Sequence, residues 1–269
     1  MKTILLPTDF SNNALMAAEF AISKLVKGPA KLTLFNVYDI PRGGTSGLFY
    51  LMDELQKQAK NDIEEFKHIL EEKYTNNQLQ FDARIAQGDF AERCTLMAEE
   101  LNADCIVMGT KGSSGIKDIL IGSSTIDLMK RLKRPLYVVP ENFQEAEIKE
   151  IIVSVDGKEI GDQAKQEILN YSIQHNLPIQ LLHIRLNDDN PIQDWEKLKT
   201  YFKDIKLELH EAYADNLEEG LKKSTENSKA LLVMIKRKQS FWERFFNLSD
   251  SQKAVMSANL PMLILPEVD

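Results

Sequence analysis

Cysteine is scarce in this sequence: two residues, Cys94 and Cys105, among 269. Two thiols build no disulfide framework, and no Cys/His spacing of a structural zinc site accompanies them. The four histidines (His68, His175, His183 and His210) are scattered along the chain. An excess of basic charge is missing too. The formal net charge is −8, which argues against a surface built for nucleic-acid phosphates or anionic lipid. No apolar run approaches the ~20 residues that span a bilayer, and the opening MKTILLPTDFS is too short in apolar residues for a secretory signal. The expectation is a cytoplasmic protein with no nucleic-acid partner and no membrane. The P-loop pattern G-x-x-x-x-G-K-[ST] is absent, which argues against a P-loop NTPase. Local motifs suggest no Ser-His-Asp or Cys-His arrangement, so catalysis has little support.

What is present is an alternation. Apolar runs TILLPTD, KLTLFNVYD, QFDARIAQGD, DCIVMGT and PLYVVP read as strands. Between them lie NNALMAAEFAISKLVK, the long LFYLMDELQKQAKNDIEEFKHILEEKY, FAERCTLMAEELN and SSTIDLMKRL, with apolar residues at helical spacing. Alternating strands and helices predict a parallel sheet covered on both faces, and nearly continuous apolar strands predict burial on both sides.

The second half repeats the first. Placing Asp9 on Asp156 also sets LFNV on LLHI, and placing Pro135 on Pro261 lays NADCIVM on SKALLVM without a gap. The two displacements differ, so the second copy is shorter and its missing part falls after its second strand. Two tandem α/β domains, 1–141 and 148–269, account for the length, with the polar ENFQEAEIKE between them.

Four of the twelve glycines, Gly109, Gly112, Gly115 and Gly122, crowd into GTKGSSGIKDILIGSST. After a buried strand and before a helix, such a turn suits phosphate. Backbone without Cβ atoms reaches positive φ, comes close to the ligand, and points N–H groups at anionic oxygens. Ser123, Ser124 and Thr125 would add hydroxyls at a helix start whose dipole favours negative charge. A plain flexible surface loop is the other reading. The spacing is not G-x-G-x-x-G, and it falls late in the domain, which weakens a Rossmann assignment.

The spacing G-x2-G-x9-G-[ST] resembles the nucleotide-binding signature of the universal stress protein family. ILLPTDFSNNA resembles that family's first strand and turn, IAQGDFAERC its Gly-Asp-x-Ala-Glu segment, and PLYVVPE its closing strand. The resemblance covers 1–141 well and 148–268 at the level of pattern. It implies two doubly wound five-stranded parallel-sheet domains of the adenine nucleotide alpha hydrolase kind. Their last strands would pair into an internal pseudo-dimer, leaving a further homodimer open. It implies an adenine nucleotide, ATP, alone or with magnesium, held by Asp9, Val37, Gly109, Gly112, Gly122, Ser123 and Ser124. It names no metal ligand, although Asp9 and Asp89 are carboxylates to consider, and it leaves the protein partner open. At most it allows slow ATP hydrolysis. Apart from the resemblance, Gly43, Gly44 and Gly47 leave two readings of residues 41–50: a mobile lid over the nucleotide with Arg42 as a phosphate partner, or a long loop with no ligand role.

In the second half Gly109, Gly112, Gly115 and Gly122 fall on Ile235, Lys238, Phe241 and Leu248. The expectation is therefore a stress-response protein with one competent ATP site and a structural second domain. The alternative is a partner-binding scaffold with vestigial nucleotide binding. The aromatic cluster Phe241 to Phe246 would fill the vacated pocket, cover an interface or recruit a partner.

Overall fold

The structure, a computed structural model, describes residues 1–39, 48–75, 77–110, 122–141, 143, 148–186, 195–203, 205–237 and 260–267. The chain divides into two compact units, the first built on strands β1–β5 and the second on β6–β10.

The first unit runs β1 (Lys2–Pro7), α1 (Asn12–Phe20), β2 (Ala30–Tyr38), α2 (Leu48–Lys73), β3 (Leu79–Gln87), α3 (Phe90–Glu100), β4 (Cys105–Gly109), α4 (Ser123–Arg131) and β5 (Leu136–Val139). The strands lie in the order β3-β2-β1-β4-β5, and every pair is parallel. The apolar runs read from the sequence are these strands. Leu5, Leu34, Val107 and Val138 are wholly buried, and each such side chain contributes roughly 1.5–3 kcal/mol. α1 packs on β4 and β5, α2 on β2 and β3, while α3 and α4 pack on each other. Ser11 starts α1 by accepting from Ala14 N–H, and Asp89 starts α3 by accepting from Glu92 N–H.

The sequence predicts one helix over 12–27. The structure ends α1 at Phe20 and continues as a π-helical turn, Ala21–Leu25. The wider turn keeps both Ala21 and Leu25 in the core. Residues 48–50, expected in a lid, belong to α2. The rest of that segment, with Arg42, lies outside the described residues.

The second unit runs β6 (Glu150–Ser154), α5 (Asp162–His175), β7 (Ile179–Arg185), α6 (Trp195–Thr200), β8 (Leu207–Tyr213), α7 (Leu217–Thr225), β9 (Ala230–Lys236) and β10 (Met262–Pro266). Its strands lie in the matching order β8-β7-β6-β9-β10, again all parallel. The internal repeat holds at the level of single hydrogen bonds. Thr8 N–H donates to Phe35 O, and Val155 N–H to Leu182 O, both at 2.9 Å and both related by the Asp9–Asp156 displacement. Ile106 N–H donates to Pro135 O, and Leu232 N–H to Pro261 O, related by the Pro135–Pro261 displacement. The chain is a tandem α/β protein with two doubly wound parallel arrays.

Candidate functional site

In the first unit β2 flanks one side of β1 and β4 the other, so the winding of the chain reverses between β1 and β4. Open parallel sheets bind ligands beyond the strand C-termini at this switch point. The segment after β1, the end of β2, the end of β4 and the start of α4 all finish at this edge of the sheet.

Asp9 leaves β1 in a tight turn. Its Oδ1 accepts from Ser11 Oγ at 2.7 Å and from Ser11 N–H at 3.2 Å. The helix cap is therefore Ser11, and Asp9 is the turn residue. Phe10 between them takes φ 67°, a left-handed conformation that costs a bulky residue roughly 1–2 kcal/mol. Its N–H donates to Thr8 Oγ1 and its ring meets Phe66 edge-on, which helps offset that cost. The other oxygen, Asp9 Oδ2, is buried with no hydrogen-bond partner among the described residues. A buried acceptor left unpaired costs about 1–3 kcal/mol, and more when charged. A ligand donor would remove that cost.

The turn is held to β2 by a side chain. Asn36 Nδ2 donates to Thr8 O at 2.8 Å. The β1–β2 register ends at Pro7 and Phe35, with Phe35 O turned toward β1. By the two-residue alternation of a strand, Val37 turns its backbone the same way, beyond the end of β1.

Gly109 closes β4 against α1. A Cβ there would lie 2.4 Å from Asn13 Oδ1 and 2.6 Å from its Cγ. Space, not left-handed backbone, explains this glycine. Gly122 corrects the expectation of positive φ more directly: it sits at φ −60°, ψ 151° as the N-cap of α4, and among the described residues no side chain caps that helix. Its N–H donates to Thr110 O at 2.8 Å, so the two ends of the glycine-rich segment are joined. Ser123 and Ser124 are exposed in the first turn, whereas Thr125 is buried. Gly112 and Gly115 lie outside the described residues. The structure thus brings Asp9, Val37, Gly109, Gly122, Ser123 and Ser124 to one end of the sheet.

Asp89 is committed elsewhere, capping α3 and lying 3.3 Å from Arg131. Among the described residues no group of three or more His, Cys, Asp or Glu could hold a metal ion. Cys94, on α3, is fully buried, and burial pushes its thiol far above the ordinary range.

The second unit keeps the frame and changes the opening. Asp156 Oδ1 accepts from Lys158 N–H at 3.2 Å, as Asp9 does from Ser11, and Gly157 takes φ 81° where Phe10 takes 67°. His183 Nδ1 meets Val155 O at 3.0 Å in the place of the Asn36–Thr8 bond. At this strand end lies Arg237, which sequence reasoning missed. Its Nη1 donates to Asp156 Oδ1 and its Nη2 to Glu159 O, both at 2.5 Å. Its Nε lies 3.3 Å from Glu267 Oε1, an ion-pair distance without hydrogen-bond alignment. Ile235 stands where the first unit has Gly109. Among the described residues a space of about 20 Å³ lies beside Asp156, Ile235 and Arg237, enough for a single water molecule. Burial also pushes the amine of neighbouring Lys236 below its ordinary range. Lys238, Leu248 and the cluster from Phe241 to Phe246 lie outside the described residues.

Known proteins agree with this architecture. The sequence pattern described as the universal stress protein family matches residues 1–140. One universal stress protein of Methanocaldococcus jannaschii is 30% identical over 152 residues, covering 51% of this chain and 94% of its own. A second from the same organism is 31% identical over 148 residues, covering 54% of this chain and 85% of its own. The crystal structure of a universal stress protein from Archaeoglobus fulgidus shares the fold, with a TM-score of 0.74 at 17% identity over 98% of each chain. With the family pattern spanning just over half its length, the chain belongs to the universal stress protein family.

Proposed function

We propose that the first unit binds one ATP and that the second unit has a structural role, in a cytoplasmic stress-response protein whose output is conformational. The observation that carries the reading is at the β1–β4 switch point. There the Asp9 carboxylate, with Oδ2 buried and unpaired among the described residues, belongs to the same strand-end edge as a helix N-terminus that carries no side-chain cap among them. The first asks for a hydrogen-bond donor, which an adenosine offers through its amino and hydroxyl groups. The second asks for an anion, which the phosphates supply. Val37 would offer backbone to the adenine edge, and Gly109 and Gly112 would shape the path of the chain. Gly122, Ser123 and Ser124 would meet the phosphates. Magnesium, where it accompanies ATP, would be carried by the phosphates themselves. Arg237 supports the division of labour, because in the second unit its guanidinium donates to the Asp156 carboxylate, which a ligand's donors would otherwise have to meet. Asp156 Oδ2, like Asp9 Oδ2, has no hydrogen-bond partner among the described residues, so what sets the first unit apart is the helix N-terminus and the absence of an arginine on Asp9 among those residues. Residues 1–141 and 148–269 are proposed as the two domains.

The test is Gly122→Val with calorimetry. A Cβ at Gly122 would already lie 3.3 Å from Thr110 O, and a branched side chain would obstruct the first-turn amides. ATP affinity should fall by about tenfold or more, equivalent to one lost hydrogen bond to a charged group, with circular dichroism unchanged. The unaltered protein should bind one ATP per chain. Unchanged affinity in a folded variant, or two sites per chain, would overturn the reading. A protein that purifies without nucleotide and binds none added would favour the scaffold instead.

A further inference from the structure

We infer that Asn13 is the positioning residue that sets the opening of the glycine-rich segment in the first unit; its functional half rests on the nucleotide reading above. Asn13 is the second residue of α1, yet it is 2% exposed. Asparagine is seldom buried this fully, and a buried amide needs its hydrogen bonds. Asn13 Nδ2 donates to Val139 O, at the end of β5, at 3.0 Å. Its Oδ1 lies 3.5 Å from Thr110 Oγ1, just past the end of β4, and packs on Gly109 closely enough to forbid a Cβ. Thr110 N–H also donates to Val139 O, and Thr110 O accepts from Gly122 N–H. One amide therefore holds the ends of β4 and β5, and through Thr110 it holds Gly122 at the start of α4. The two flanks of segment 111–121, Thr110 and Gly122, are tied to each other by backbone, and the Asn13 side chain braces that tie.

The bland account is a satisfied core amide that could sit anywhere in the interior. The second unit argues otherwise. There the unbroken alignment puts Ile160 at the position of Asn13, and alignment on the helix start puts exposed Gln163 there. Neither is a buried amide, and the glycine beside it has become Ile235. The amide and the glycine occur together where the chain opens into a glycine-rich segment, and both are missing where Arg237 closes it. Asn13 thus explains why position 109 is glycine: the residue leaves room for the amide that aims the backbone.

The experiment uses the full chain and has two arms. Without nucleotide, Asn13→Ala should quicken hydrogen exchange at the Thr110 and Gly122 amides by about tenfold, the worth of one ordinary hydrogen bond, and leave the second unit's amides unchanged. With ligand, the variant should lose about tenfold in ATP affinity but less than about twofold in adenosine affinity, because the clamp sets the phosphate side of the site. Asn13→Asp keeps the size and the acceptor but removes the donor to Val139 O. It should behave alike, and it covers the case in which the alanine variant does not fold. Unchanged exchange at Thr110 and Gly122 would overturn the inference, and so would equal losses for ATP and adenosine. If the unaltered protein binds neither ligand, the nucleotide reading falls and the exchange arm alone decides whether Asn13 holds the opening.

Discussion

Replacing Arg237 by methionine tests whether the second unit is closed by its own side chain. The arginine side chain is 5% exposed, whereas those of its partners Asp156 and Glu267 are 26% and 34% exposed. Removing one member of a buried ion pair costs roughly 3–5 kcal/mol, because the other charge is stranded. Water reaches both carboxylates here, so the cost should fall below that range, to about 2–3 kcal/mol. Methionine preserves the aliphatic stem, which keeps cavity formation out of the comparison. Adding Asp156→Asn should recover most of the loss, since the stranded charge then disappears. Urea denaturation followed by tryptophan fluorescence is the assay, because both tryptophans, Trp195 and Trp242, lie in the second half of the sequence. The midpoint should fall with the slope unchanged. ATP stoichiometry should stay at one, since Ile235 still stands where the first unit has glycine. A loss below about 1 kcal/mol, or a double variant no more stable than the single one, would refute the reasoning.

Two further outcomes follow from packing and from charge. Gly220 on α7 faces Ile184 Cγ2, which a Cβ would approach to 2.4 Å. Gly220→Ala should therefore lower stability by about 1 kcal/mol, overpacking outweighing a helix-propensity gain of about 1 kcal/mol; a rise in thermal midpoint would contradict this. Burial, then the nearby Glu208, raises the Glu150 carboxyl above its ordinary value. A raised acid binds its proton more tightly when folded, so its charged form costs stability above the folded value and costs nothing below the unfolded one. Glu150→Gln should raise the thermal midpoint at pH 7, and the gain should vanish as pH falls to about 4. Equal gains at both pH values would count against it.

The strands were legible because a parallel strand buried on both faces must be nearly all apolar, as CIVM in β4 and LYVV in β5 are. The tandem repeat was legible because register fixes which residues exchange backbone hydrogen bonds, so matching residues stay matched. The site was less so. A glycine can serve a left-handed turn, a close contact or an uncapped helix, and sequence does not distinguish them. Gly109 proved to be the second case and Gly122 the third. Arg237 carries no mark in the sequence, because an arginine between Lys236 and Lys238 at the end of an apolar strand reads as solvated charge. Asn13 does carry a signal in the sequence: it is the polar residue on the otherwise apolar buried face of α1. The π-helical turn has no sequence mark that periodicity could detect, since its register differs from the α-helix only over Ala21–Leu25.

The paired turns after β1 and β6 separate two kinds of information within one chain. The carboxylate turn, the left-handed residue after it and the side-chain strut from the neighbouring strand occur in both copies, with asparagine serving as the strut in one and histidine in the other. Gly109 in one copy and Ile235 with Arg237 in the other rest on that common frame. Whatever the two copies share at this place is demanded by the fold, because it stands equally well with and without the arginine. Whatever they do not share is free to answer to a ligand. The chain thus carries its own internal control, in which each copy shows how much of this strand end the fold alone dictates to the other.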